Sequence, residues 1–149
     1  MSDSDLIKLY SGRILQLASE IPLTDRLRGP DASIKKRSPL CGSTITVDVV
    51  MDHGQVAHFG QDVKACALGQ AAASVVAANI IGRTRAEIET ARDALRAMLT
   101  TGGPVPDAPF DGLEVLIPAR SFKNRHASIM LVLDATSEAV AAAESAACA

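Results

Sequence analysis

The chain contains no tryptophan, and aromatic residues make up only 3 % of its 149 positions. An interior without them must be filled by aliphatic and alanine side chains, which the hydrophobic fraction of 48 % supplies. No apolar run reaches the roughly 18 residues that a membrane-spanning helix needs, so no membrane partner is expected. A strong charge of one sign is also missing. The net charge of −2 leaves no electrostatic footprint for nucleic acid. The short basic cluster Lys35-Lys36-Arg37 reads as a solvated loop rather than a docking patch. There are only three cysteines, an odd number without secretory spacing, which points to metal or sulfur chemistry more than to disulfides. The opening Met1-Ser2-Asp3-Ser4-Asp5 is acidic and has no apolar leader core. A cytoplasmic protein with reduced thiols is therefore expected. There is no phosphate-cradling glycine loop, no nucleotide fingerprint and no Ser/His/Asp order. Asp48 and Asp62 do not pair in a way that suggests acid–base catalysis. The chain is not expected to be an enzyme.

What is present is a clear change of period along the chain. The length suits a single domain over residues 1–149, with residues 144–149 as a frayed tail. Ser4 or Asp5 caps a predicted first helix to about Ser19, with Leu6, Ile7, Tyr10, Ile14, Leu15 and Leu17 at helical spacing. Thr24 to Pro39 reads as a loop with at most a short edge strand near Ala32–Lys36. Thr44 to Met51 alternates and is rich in β-branched residues, so it is a strand. Asp52-His53-Gly54 is a turn, and Gln55 to Val63 is the hairpin partner. From Ala65 the period becomes helical until Gly82 stops it. Thr84-Arg85-Ala86-Glu87 has the form of a capping box, opening a helix to about Leu99. Leu113 to Ile117 is a short strand or helical turn. Helices are predicted over about 121–133 and again over 134–143. One helix, a small antiparallel sheet, then a run of helices gives an α+β class: about three strands with helices packed on one face.

Cys41 and Cys66 are the most informative pair. Cys41 stands just ahead of the alternating run, and Cys66 stands at the head of the alanine-rich helix. Unpaired N–H groups at a helix N-terminus favour negative charge, and thiolate is the form that binds metal and accepts sulfur. With His126 they make two sulfurs and an imidazole, a set that suits zinc or iron and leaves an open coordination position. Ser43 lies beside the first cysteine. There is no Cys-x-x-Cys and no His-x-x-x-His, and free cysteines are also common as small buried hydrophobes. His53 reads as a solvated turn residue, His58 as a strand residue of unknown facing, and Cys148 as an incidental thiol near the terminus.

At these residues the chain resembles the U-type iron–sulfur cluster assembly scaffold family, the NifU N-terminal-like, IscU and SufU proteins. The likeness runs from about Tyr10 to Val140. It is carried by Tyr10-Ser11, by Ser38-Pro39-Leu40-Cys41-Gly42, and by the run Ala65-Cys66-Ala67-Leu68-Gly69-Gln70-Ala71-Ala72-Ala73-Ser74. The long segment between Cys66 and Arg125-His126 is similar to the SufU branch. The resemblance implies an α+β fold with a three-stranded sheet and a rim where three cysteines and an aspartate hold zinc or a nascent cluster. It also implies sulfur delivery from a cysteine desulfurase as a persulfide. Cys41 and Cys66 match the first two family cysteines, and His126 the histidine before the third. Two departures follow. The family's Cys-Gly-Asp is Cys41-Gly42-Ser43 here, and the third cysteine position is Ala127. A cluster normally takes four protein ligands; this chain offers Cys41, Cys66, His126 and Ser43. With no thiol at position 127, Cys41 (or else Cys66) is the implied sulfur acceptor.

Three readings compete. The first is a scaffold-like protein binding zinc, iron or a nascent cluster and meeting a cysteine desulfurase. The second is a degenerate member that keeps the fold and acts as a non-metal interaction or regulatory module. The third is a thiol redox switch between Cys41 and Cys66.

Overall fold

The computed structural model describes residues 11–39 and 42–147. In chain order the elements are α1 (Gly12–Ser19), β1 (Ala32–Arg37), β2 (Thr44–Asp52), β3 (Gln55–Lys64), α2 (Ala67–Ala78), α3 (Arg85–Thr100), a 3₁₀ segment (Asp111–Ser121) and α4 (Lys123–Ala147). The three strands form one antiparallel sheet in the order β1-β2-β3. This is the α+β architecture expected from the sequence.

The sheet follows from the alternating run. Ile45, Val47 and Val49 are buried on its inner face, where α4 lies across β1 and β2. α2 packs between α1 and α4, and α3 packs on the outside of α4. Alanine and aliphatic side chains fill the space between them, with Ala71, Ala72 and Ala73 of α2 fully buried. The β2–β3 turn places His53 at φ 53° and Gly54 at φ 76°, the left-handed pair a two-residue hairpin needs. His53 is exposed beside Asp52, and His58 is exposed on β3.

The alternation of β2 breaks at Asp48, which is buried although it points to the outer face. The segment before β1 crosses that face and covers it. Arg26 Nε lies 2.6 Å from Asp48 Oδ2 and Arg26 Nη2 lies 3.1 Å from Oδ1. Ser33 Oγ donates to Oδ1 at 2.6 Å and the Leu27 N–H donates to Oδ2 at 3.0 Å. Burial by itself would raise the Asp48 carboxyl. The hydrogen bonds from Arg26, Ser33 and the Leu27 N–H, with the guanidinium charge, outweigh that and hold it below the ordinary carboxylate range.

Two expectations are corrected, and the choice between strand and helical turn at Leu113–Ile117 is settled in favour of the turn. The first helix does not run unbroken to Ser19: Ser11 has extended backbone, and its hydroxyl accepts from Ile14 N, capping α1 at Gly12. The expected cap at Ser4 or Asp5 lies outside the described residues. Leu113 to Ile117 belongs to a 3₁₀ segment that carries Pro118 inside it. Leu113, Leu116 and Ala119 are buried at a spacing of three, the 3₁₀ period and neither of the two periods sought in the sequence. The break at Asp134 is absent, and α4 is one helix. The Asp134 carboxylate accepts from Arg96 of α3 at 3.0 Å, and the backbone continues through it.

The capping box at Thr84 is present in full, with Glu87 N bonded to Thr84 Oγ1 at 3.2 Å and Thr84 N bonded to Glu87 Oε1 at 3.1 Å. Thr84→Ala is expected to cost about 1 kcal/mol in a urea melt, with unchanged slope.

Candidate functional site

Three pieces of chain meet at one end of the sheet. β1 ends, β2 begins and β3 ends together there, with Arg37, Thr44 and Lys64 abreast. The β1–β2 connection is closed by backbone bonds: Ser38 N to Ser43 O at 2.8 Å, and Gly42 N to Ser38 O at 3.1 Å. Gly42 supplies the turn at φ 71°, a conformation costly for a residue with a Cβ. The loop carries Cys41 and Ser43. Cys41 lies outside the described residues. Ser43 is buried.

The second piece is the start of α2. β3 finishes at Lys64, and Cys66 takes the N-cap position of the helix with extended backbone. Its side chain makes no capping bond. Cys66 is half-buried.

The third piece is the first turns of α4, carrying His126, Ala127 and Ser128. Ser128 is the residue that sequence reasoning missed. It is 1 % exposed. Its hydroxyl lies 3.4 Å from Cys66 Sγ and donates to Ser43 Oγ at 3.2 Å. The sequence signal available was the burial parity of α4, because Ser128 opens the apolar run Ile129-Met130-Leu131. Thus the structure joins Cys66 and Ser43, two of the expected residues, through one that was not expected.

Helix packing enforces this contact. A Cβ on Gly69 would stand 2.6 Å from Ser128 Oγ and 3.0 Å from Ser128 O. α2 and α4 approach this closely because position 69 has no side chain.

His126 is held differently. Its Nε2 lies 2.9 Å from Ala119 O and 3.1 Å from Arg120 O, at the end of the 3₁₀ segment. Carbonyl oxygens only accept, so Nε2 carries a proton, and in the neutral ring Nδ1 keeps the lone pair. A backbone carbonyl on one ring nitrogen is how metal-binding histidines are commonly oriented. His126 stands two residues from Ser128, so the two side chains leave α4 in different directions. Among the described residues, no three His, Cys, Asp or Glu side chains stand together closely enough to hold a metal ion.

No helix is long and apolar enough to cross a membrane among the described residues.

No family model matches the chain, and no curated protein does. Solved structures do. A nitrogen-fixing NifU-like protein (N-terminal) from Brucella abortus is 42 % identical, with a TM-score of 0.92 over 95 % of this chain and 98 % of that one. A protein from the thermophile Fervidobacterium islandicum AW-1, described as a candidate iron–sulfur cluster assembly scaffold for the SUF system, is 17 % identical. Its TM-score is 0.81, covering 90 % of this chain and 98 % of that one. A hypothetical protein is 21 % identical, with a TM-score of 0.79 over 91 % and 98 % of the two chains. These last two share the fold.

Proposed function

The chain belongs to the NifU-like N-terminal family, and on that premise we propose that it is a scaffold-like protein of iron–sulfur cluster assembly. Zinc, iron or a nascent cluster is its cargo, held by Cys41, Cys66, His126 and Ser43. The observation that carries this reading is the linking of Cys66 to Ser43 through the Ser128 hydroxyl at the sheet end, beside the loop that bears Cys41. The tautomer of His126 supports it, since Nδ1 is the nitrogen left to coordinate.

The partner is a cysteine desulfurase. Cys41, as thiolate, attacks the outer sulfur of the partner's cysteine persulfide. The partner's S–S bond breaks, its cysteine leaves as thiolate, and Cys41 becomes the persulfide. Exposed Arg37, Lys64 and Lys123 flank the three pieces of the site and favour a partner surface of negative charge. Ala127 offers no ligand and no thiol, so the family's third cysteine is replaced in this chain.

Metal and sulfide content of anaerobically purified protein tests the reading. Stoichiometric zinc or iron is expected in the wild type, lost in Cys41→Ser and Cys66→Ser and reduced in His126→Ala. A protein that is empty and unaffected by the three substitutions overturns it. Ala127 and Ser43 favour a second reading, a non-metal module that tunes a desulfurase or a true scaffold. Capture of a desulfurase by the Cys41→Ser/Cys66→Ser double variant as strongly as by the wild type would support that one.

A further inference from the structure

We propose that Ser128 is a positioning residue of this site: its hydroxyl turns from Ser43 to the Cys66 sulfur when that sulfur binds metal. The inference rests on Cys66 being a metal ligand, as proposed above.

A serine hydroxyl has one proton and two lone pairs. Ser128 has both neighbours in reach, Ser43 Oγ at 3.2 Å and Cys66 Sγ at 3.4 Å. With Cys66 as a thiol, its S–H donates to Ser128, and Ser128 donates to Ser43. A metal-bound sulfur has no proton to give and carries negative charge. Ser128 then loses a donor and faces an anionic acceptor at the same distance. A charge-assisted hydrogen bond is roughly twice as strong as a neutral one, so the proton turns to sulfur. Only the hydroxyl hydrogen moves. The oxygen stays where it is, because α2 closes on it at Gly69. Burial of Ser128 keeps water from competing for either bond. In a chain with Ala127 in place of a ligand, the same turn of α4 thus contributes a donor to sulfur.

Cobalt(II) titration of the reduced, metal-free protein tests this, comparing wild type with Ser128→Ala. Removing an outer-shell partner of a metal ligand typically costs about 10- to 100-fold in affinity, and a loss in that range is expected. The sulfur-to-cobalt charge-transfer band should move to longer wavelength, because an unbonded sulfur lone pair lies higher in energy. A merely structural serine would not move the band. Equal affinity and an unmoved band in Ser128→Ala, with wild type binding cobalt, overturn the role of Ser128 and leave the site standing. Failure of the wild type to bind cobalt overturns the site itself, and the inference with it.

Discussion

Asp48→Ala should destabilise the protein by about 3 kcal/mol, the lower end of what removing one partner of a buried ion pair costs. The lower end applies because Arg26 is 52 % exposed and can return to water, while Asp48 is fully buried. The carboxylate accepts from Arg26 twice, from Ser33 and from the Leu27 N–H, so its loss also frees the segment that crosses the sheet. In a domain of this size each kcal/mol moves Tm by roughly 2–4 °C, so a fall of about 6–12 °C is expected. Asp48→Asn should not rescue it, because the amide turns an NH₂ donor toward groups that are themselves donors. The pH dependence has a definite sign. The folded carboxyl sits below its ordinary value, so its contribution is present above the unfolded pKa of about 3.9 and is lost as pH falls through the folded one. Thermal melts of wild type and Asp48→Ala should converge as pH drops below about 4. A constant gap across that range would show that the charge is not what stabilises the pair.

Gly69→Ala is the second large effect, and it couples stability to the site. The new methyl would lie 2.6 Å from Ser128 Oγ, 2.9 Å from Ala65 Cβ and 3.0 Å from Ser128 O. A backbone oxygen in a packed helix cannot swing aside, so α2 and α4 must part. Overpacking of this kind costs typically about 1–3 kcal/mol. It exceeds any gain from replacing glycine inside a helix, which is only about 0.5–1 kcal/mol. The displaced hydroxyl also loses Cys66 and Ser43 as partners. Metal affinity should fall together with Tm, and by more than in a surface variant of equal stability loss. A variant with wild-type melting and wild-type cobalt affinity would mean the two helices have room to spare there.

Much of the frame was legible in local patterns. Alternation with β-branched residues set β2, the His53-Gly54 turn set the hairpin, and the Thr84 box set the start of α3. Each of these is decided within a few residues of chain, by sterics and hydrogen bonds that the sequence spells out directly. Cys66 at the head of α2 belongs to the same class. The residues implied for the cargo were likewise recognisable one by one, as motif matches at Cys41, Ser43, Cys66 and His126.

What the sequence could not give was anything that depends on partners far away along the chain. The helix was expected to break at Asp134, but it runs on through that residue, whose carboxylate is held by Arg96 of another helix. Asp48 reads as an outward strand residue until Arg26, 22 positions earlier, is found lying across the sheet. The orientation of His126 depends on two carbonyls presented by a 3₁₀ segment whose period of three matches neither the strand nor the α-helix template. Ser128 gains its meaning only because α2 and α4 close at Gly69 and bring its hydroxyl to Cys66 and Ser43, 62 and 85 positions away in sequence. The sequence alone determined the class of fold, and it named the sulfur and nitrogen donors that the proposal rests on, because backbone preference and side-chain chemistry are local. Tertiary structure alone decided which hydroxyl stands between Cys66 and Ser43, because that depends on how closely two helices can approach.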